Sequence, residues 1–193
     1  AVHANADNKA CAEMEVNEQA LVDLFENSQG KFSNGYIDLI EVVNGPVLAT
    51  ASDIGGPPFP GQTENPFMQM SIDYWEEKLL AGFKITAVSG SDSKGVDAMA
   101  DRARKGYGSS ATAVYANSLS RADIKTALRA GHAYIAARGK ANSPILDMQV
   151  TAAGMAGTFG DTLQADNATL TVTITNGAGQ LLNLIQNGDQ VAQ

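Results

Sequence analysis

The sequence predicts an α/β layer followed by a β-rich carboxyl-terminal extension. Three stretches carry that prediction. Residues 71–97, S-I-D-Y-W-E-E-K-L-L-A-G-F-K-I-T-A-V-S-G-S-D-S-K-G-V-D, read as a helix, a glycine stop, a short apolar strand and a carboxylate at the strand's end. Residues 36–43, Y-I-D-L-I-E-V-V, read as a second apolar strand, ended by Asn44-Gly45-Pro46. Residues 169–175, T-L-T-V-T-I-T, alternate threonine with branched apolar residues, as a half-buried antiparallel strand does.

Composition bounds the rest. The 193 residues suit one domain or one domain plus an appendage, and 44% hydrophobic content is enough for a core. No apolar run reaches the roughly 18–20 residues that cross a bilayer, so a soluble protein without a membrane partner is expected. The net charge of -8 opposes nucleic-acid binding, because phosphate contacts need clustered Lys and Arg. The densest basic stretch, Arg102, Arg104 and Lys105, is short and reads as a solvated face. Cys11 is alone, which excludes an internal disulfide and a cysteine metal motif and leaves cytoplasm and periplasm both open. A start at Ala1, with neither methionine nor a leader, is expected of a processed chain or a segment of a longer protein.

At the amino terminus, His3, Asn5 and Asp7 alternate and would share one face of an extended chain. A histidine and a carboxylate on one strand face can hold Zn²⁺ or Mn²⁺; an ordinary polar strand end is the other reading. Leu21, Leu24 and Phe25 mark a short amphipathic helix over 18–27. Asp38 and Glu41 lie within the apolar strand over 36–43. A carboxylate there is costly unless paired, so at least one should have a partner, such as a backbone N–H, a nearby Lys or a metal. Glu41 is nearer the strand's end. Residues 50–66, rich in glycine and proline, predict a loop able to border a cleft.

In the central stretch Ile72, Trp75 and Leu79 recur at helical spacing and are expected in the core. Ser71 can cap the start of that helix and Gly82 fits just past its end. The strand over 84–88 leads to Asp92, and chemistry in α/β folds gathers at the carboxyl ends of strands. G-Y-G-S-S at 106–110 reads as a turn, since it has no Walker lysine. A strand over 112–116 follows. Ser120 opens S-R-A-D, a capping box with Asp in the fourth place, and its helix runs through Ile124, Ala127 and Leu128 to Gly131. His132 stands where a cationic imidazole favours the helix dipole, and a strand over 134–136 follows. From Ser143 onward, runs at 145–150, 162–163, 170–175 and 181–185 predict strands and no helix. The boundaries are thus an α/β domain over 1–142 and a small β-sandwich-like extension over 143–193.

Several segments together resemble the carboxyl-terminal part of the PHP (polymerase and histidinol phosphatase) metallohydrolase superfamily, most closely its carbaryl-hydrolase-like (CehA/McbA) branch. They are Y-I-D-L-I-E-V-V-N-G (36–45), W-E-E-K-L-L-A-G-F-K-I-T-A-V-S-G-S-D-S-K (75–94), G-Y-G-S-S-A-T-A-V-Y (106–115), A-L-R-A-G-H-A-Y-I (127–135) and the closing strands through Q-N-G-D (186–189). The resemblance implies a partial or distorted (β/α) barrel with a β-rich extension. It also implies divalent metals (Zn, Mn or Fe), a small-molecule substrate, and hydrolysis of phosphoesters, amides or carbamates by a metal-bound hydroxide. Asp92 matches a metal ligand of the family's S-D-x-H motif. Lys94 stands in place of that motif's histidine and would hold an anionic substrate group as a point charge. Asn5-Ala6-Asp7 falls where the family carries N-H-P, with His3 or Asp7 able to assist. With only two histidines, His3 and His132, the family's amino-terminal H-x-H has no counterpart. Two functions stand at this point: a metal-dependent, phosphoesterase-like hydrolase with degenerate metal motifs, and a non-catalytic scaffold that binds a ligand or partner. A barrel lacking its first strands would leave open sheet edges, which a second chain can cover.

Overall fold

The computed structural model describes residues 38–51, 61–93, 106–139 and 143–193. The helix expected over 18–27 lies outside them. The architecture is mixed α/β, mostly strands with two helices among the described residues. β1 (Leu39–Asn44) is followed by a two-residue ladder between β2 (Leu48–Ala49) and β3 (Thr63–Glu64). Helix α1 (Pro66–Leu80) then returns the chain to β4 (Thr86–Gly90), which pairs parallel with β1. This β-α-β connection is the α/β layer that the sequence predicts. β5 (Ala111–Val114) and β6 (Ala133–Ala136) pair antiparallel, with α2 (Arg121–Ala130) between them in sequence.

The described sheets hold two or three strands each, and none of them closes into a barrel. The extension is a three-stranded antiparallel sheet in the order β8-β7-β9, from Met155–Gly157, Ile145–Ala152 and Thr169–Thr175. A separate hairpin, β10 (Leu184–Gln186) and β11 (Asp189–Ala192), follows. Thr162-Leu163 is not a strand, and β8 forms at 155–157 instead. On the sheet's apolar face Leu146, Met148 and Val150 of β7 are half-buried, while Leu170 and Ile174 of β9 stay 41% and 36% exposed among the described residues.

Helix α1 begins five residues before Ser71. Asn65 is its N-cap, its side chain accepting from the Phe67 N–H at 3.1 Å, and Pro66 occupies the first turn. Asn-Pro reads as a chain breaker, yet a capping side chain followed by a preset φ is also how a helix starts. Ser71 instead donates its hydroxyl to the Phe67 carbonyl one turn back. The stop is as expected. Gly82 has φ +90°, its N–H donates to the Leu79 carbonyl, and the Phe83 N–H donates to the Lys78 carbonyl. This double bond closes the last turn, and a left-handed residue is what allows it.

No residue of α1 is fully buried. Its inward contact is Trp75, which packs with Ile40, Tyr74 and Phe83 around the buried Ile85. The Trp75 indole Nε1–H donates to the Ile85 carbonyl at 2.9 Å. Leu79, expected beside it in the core, is 39% exposed. With the hairpin tip at Ile185, Asn187 and Gly188, Leu79 and Leu80 line a groove of about 360 Å³. The fully buried apolar residues, among those described, are Val42, Val43, Ile85 and four alanines at 49, 127, 136 and 152.

The extension meets the α/β layer at a pair of glycines. A Cβ on Gly131 would lie 2.8 Å from the Gly160 Cα, and one on Gly160 would lie 2.3 Å from the Ala130 carbonyl oxygen. Both have positive φ. Phe159, beside Gly160, stacks on Tyr115 at 5.6 Å and on Tyr134 at 6.0 Å between ring centroids. The Tyr115 hydroxyl donates to the Leu146 carbonyl of β7.

Two stability outcomes follow from this packing. Trp75→Ala should cost about 3 kcal/mol in urea unfolding and Trp75→Phe about 1 kcal/mol, since the latter removes mainly the indole bond. A Trp75→Ala loss near zero would mean that the indole does not hold β4. Gly160→Ala should cost about 2 kcal/mol or more, because its neighbour is backbone and cannot swing away; an unchanged midpoint would overturn the close approach.

Candidate functional site

The parallel pair ends in a shared edge at Asn44 and Gly90, paired in register. The Gly45 N–H donates to the Gly90 carbonyl at 3.0 Å, which ties the chain leaving β1 to that edge. Glu41 points across it. Its Oε2 accepts from Asn44 Nδ2 at 2.8 Å, and its Oε1 would lie 2.4 Å from a Cβ on Gly90. Glycine at 90 is therefore what leaves room for the Glu41 carboxylate. The ladder shifts register between Glu41 and Val43, a local irregularity that lets Val42 and Val43 both be buried.

Asp92 stands two residues beyond β4, exposed, with φ +43°. Asp tolerates the left-handed region better than most residues, so the chain can turn sharply there. Serines crowd the same corner. The Ser110 hydroxyl donates to the Gly90 carbonyl at 2.8 Å, and the Ser89 N–H donates to Thr112 Oγ1 at 2.9 Å. The hydroxyls of Ser89, Ser93 and Ser109 are buried without a hydrogen-bond partner. The G-Y-G-S-S segment is a turn, as expected, and its Gly108 carbonyl lies against Gly139.

Of the residues singled out for chemistry, Asp92 therefore falls at the carboxyl edge of the parallel pair. His3, Asp7 and Lys94 lie outside the described residues. The Asp38 carboxylate takes the partner it requires, but from helix α2: Arg129 Nε donates to Asp38 Oδ2 at 2.8 Å. An arginine 91 residues away leaves no trace in local spacing. Among the described residues, no three His, Cys, Asp or Glu side chains gather into a group that could hold a metal ion. The described residues thus do not make a metal site by themselves.

A second polar pair lies at the glycine junction. Ser120 caps α2 by accepting from the Asp123 N–H at 3.1 Å, and Gly131 ends it with φ +83°. His132 follows, and its Nε2 donates to Asp161 Oδ1 at 2.9 Å. Asp161 Oδ2 accepts from the Thr158 N–H at 2.9 Å. These two bonds, the imidazole first, hold the Asp161 carboxyl below its usual range. Beside them, burial and the neighbouring Tyr134 and Asp147 raise the Tyr115 phenol. Sequence reasoning places His132 at the helix end but does not find Asp161, which is 29 residues on in a turn of another sheet.

No protein-family model matches the chain, and no curated protein and no solved structure matches it. No helix among the described residues is long and apolar enough to cross a membrane.

The lowered Asp161 carboxyl has a signed consequence. A carboxylate whose folded value is depressed contributes stability above its unfolded value and loses it as pH falls through the folded value. Both groups are partly exposed, so the contribution is small. The part of the stability difference between the wild-type chain and Asp161→Asn that comes from this lowered carboxyl should shrink toward zero as the solution is taken from about pH 5 to below about pH 4. A difference that grows as the solution is acidified below about pH 5 would contradict the assignment.

Proposed function

We propose that this chain is a relative of the PHP-type metal-dependent hydrolases, phosphoesterases among them, with its small-molecule site at the carboxyl edge of β1 and β4. The observation that carries the reading is Asp92, placed directly beyond a parallel strand pair with Glu41 fixed across the same edge. Ligands of open α/β sheets bind outside the carboxyl ends of strands. Glu41 is tied by Asn44, so it reaches the edge at little further entropic cost. The partial PHP-type barrel belongs to this proposal, as does a divalent metal (Zn, Mn or Fe) held by Asp92 with help from His3 or Asp7. The described residues by themselves do not gather three donors for it.

A second reading, a scaffold that binds a ligand or partner without catalysis, is favoured by that same lack of a three-donor group among the described residues. Acidic residues at the edge suit a neutral or cationic group unless a cation offsets them.

Elemental analysis of the purified full chain, after supplementation with Zn, Mn or Fe, separates the two. The hydrolase reading expects about one equivalent of metal or more, lost in Asp92→Asn. It also expects tighter metal binding in Lys94→His, which replaces an ammonium with a ligand. Metal at trace levels in every variant would leave the scaffold reading. Metal retained in full by Asp92→Asn would remove Asp92 from the site.

A further inference from the structure

We propose that His132 and Asp161 form a protonation-sensitive latch that sets how tightly the 158–161 turn is held on the corner between α2 and β6. The turn is built around Asp161. Its N–H donates to the Thr158 carbonyl at 3.1 Å while its carboxylate accepts from the Thr158 N–H. Thr158 Oγ1 in turn donates to the Met148 carbonyl of β7 at 2.9 Å. The turn therefore moves with the three-stranded sheet. Across the junction, the His132 N–H donates to the Ala127 carbonyl and its carbonyl accepts from the Tyr115 N–H, so the imidazole is mounted on rigid backbone. The 2.9 Å contact between the rings' side of the corner and the turn joins a fixed donor to a fixed acceptor.

Imidazole is the side chain that changes charge near neutrality. Protonated, His132 meets Asp161 as a cation and an anion; deprotonated, it offers a neutral N–H. The contact is partly exposed, with side chains 29% and 36% accessible, so solvent is available to exchange for it. The other charged groups packed around it do not replace it. Lys84, ahead of β4, acts on Asp161 through space without a direct bond. Arg129, on α2, is bound to Asp38. Asp147, on β7, lies by Tyr115, whose raised phenol stays neutral in this range, and the Tyr134 phenol stands beside it among the described residues. Phe159 sits between the latch residues in sequence and stacks on Tyr115 and Tyr134, so loosening of the turn also loosens the aromatic contact.

The latch is separate from the β1/β4 edge, and its test does not depend on metal or activity. Hydrogen exchange of the 158–161 amides is measured on the full chain between about pH 5.5 and about pH 8, corrected for intrinsic rates. In the wild type, the opening equilibrium should rise about two- to fivefold with pH, the range expected of a partly exposed ion pair. His132→Gln keeps a neutral donor and should be flat across the range, as should Asp161→Asn. A flat wild-type profile, or an unchanged slope in His132→Gln, would overturn the latch. Should either variant unfold, the wild-type chain suffices: the Phe159 ring resonances must shift with the same midpoint as His132, assigned against His3→Gln, and different midpoints would refute it.

Discussion

The bond from the Trp75 indole to the Ile85 carbonyl is the contact on which the α/β layer depends. Ile85 lies one residue before β4, and its carbonyl accepts the indole N–H. Burying that carbonyl beside Ile40, Tyr74 and Phe83 would be costly without a donor. The indole supplies the donor and its apolar body fills the same space. The next residue, Thr86, is held on both sides: its N–H donates to the Asp38 carbonyl and its hydroxyl to the Leu128 carbonyl of α2. One residue pair thus seats β4 against α1, β1 and α2 together.

Everything placed at the carboxyl edge inherits its position from that seating. Glu41 lies over Gly90 because the register of β1 on β4 brings the two together, and Asp92 turns away just beyond. The edge combines a fixed carboxylate, an exposed carboxylate and buried hydroxyls. The hydrolase reading requires further metal donors from elsewhere in the chain, and the scaffold reading requires none. That is why the two functional readings differ in metal content while sharing the same edge.

The extension is attached differently. One face of its sheet is exposed and the other half-buried, and among the described residues its hold on the α/β layer includes glycine against glycine, an aromatic stack, the Tyr115 bond to β7 and a histidine–carboxylate contact. Close backbone approach needs the missing Cβ atoms, and a polar clasp beside it is cheap to open.

Local chemistry alone was enough to set several features. Ser120 and Gly131 bound α2, Gly82 ends α1, and the alternation of 169–175 makes β9, because each rests on the φ preference or side-chain reach of residues within a turn of one another. The same local reading misplaced the start of α1, where Asn65-Pro66 serves as cap and first turn rather than as a break. It gave Asp92 its place past a strand, but could not find Arg129 for Asp38 or Asp161 for His132, pairs separated by 91 and 29 residues. Nor could it decide that β1 takes β4 in parallel while β5 takes β6 antiparallel, or that Leu170 and Ile174 of the extension stay exposed. Those outcomes depend on which distant surfaces meet, and a strand's own residues specify its pleat without naming its neighbour.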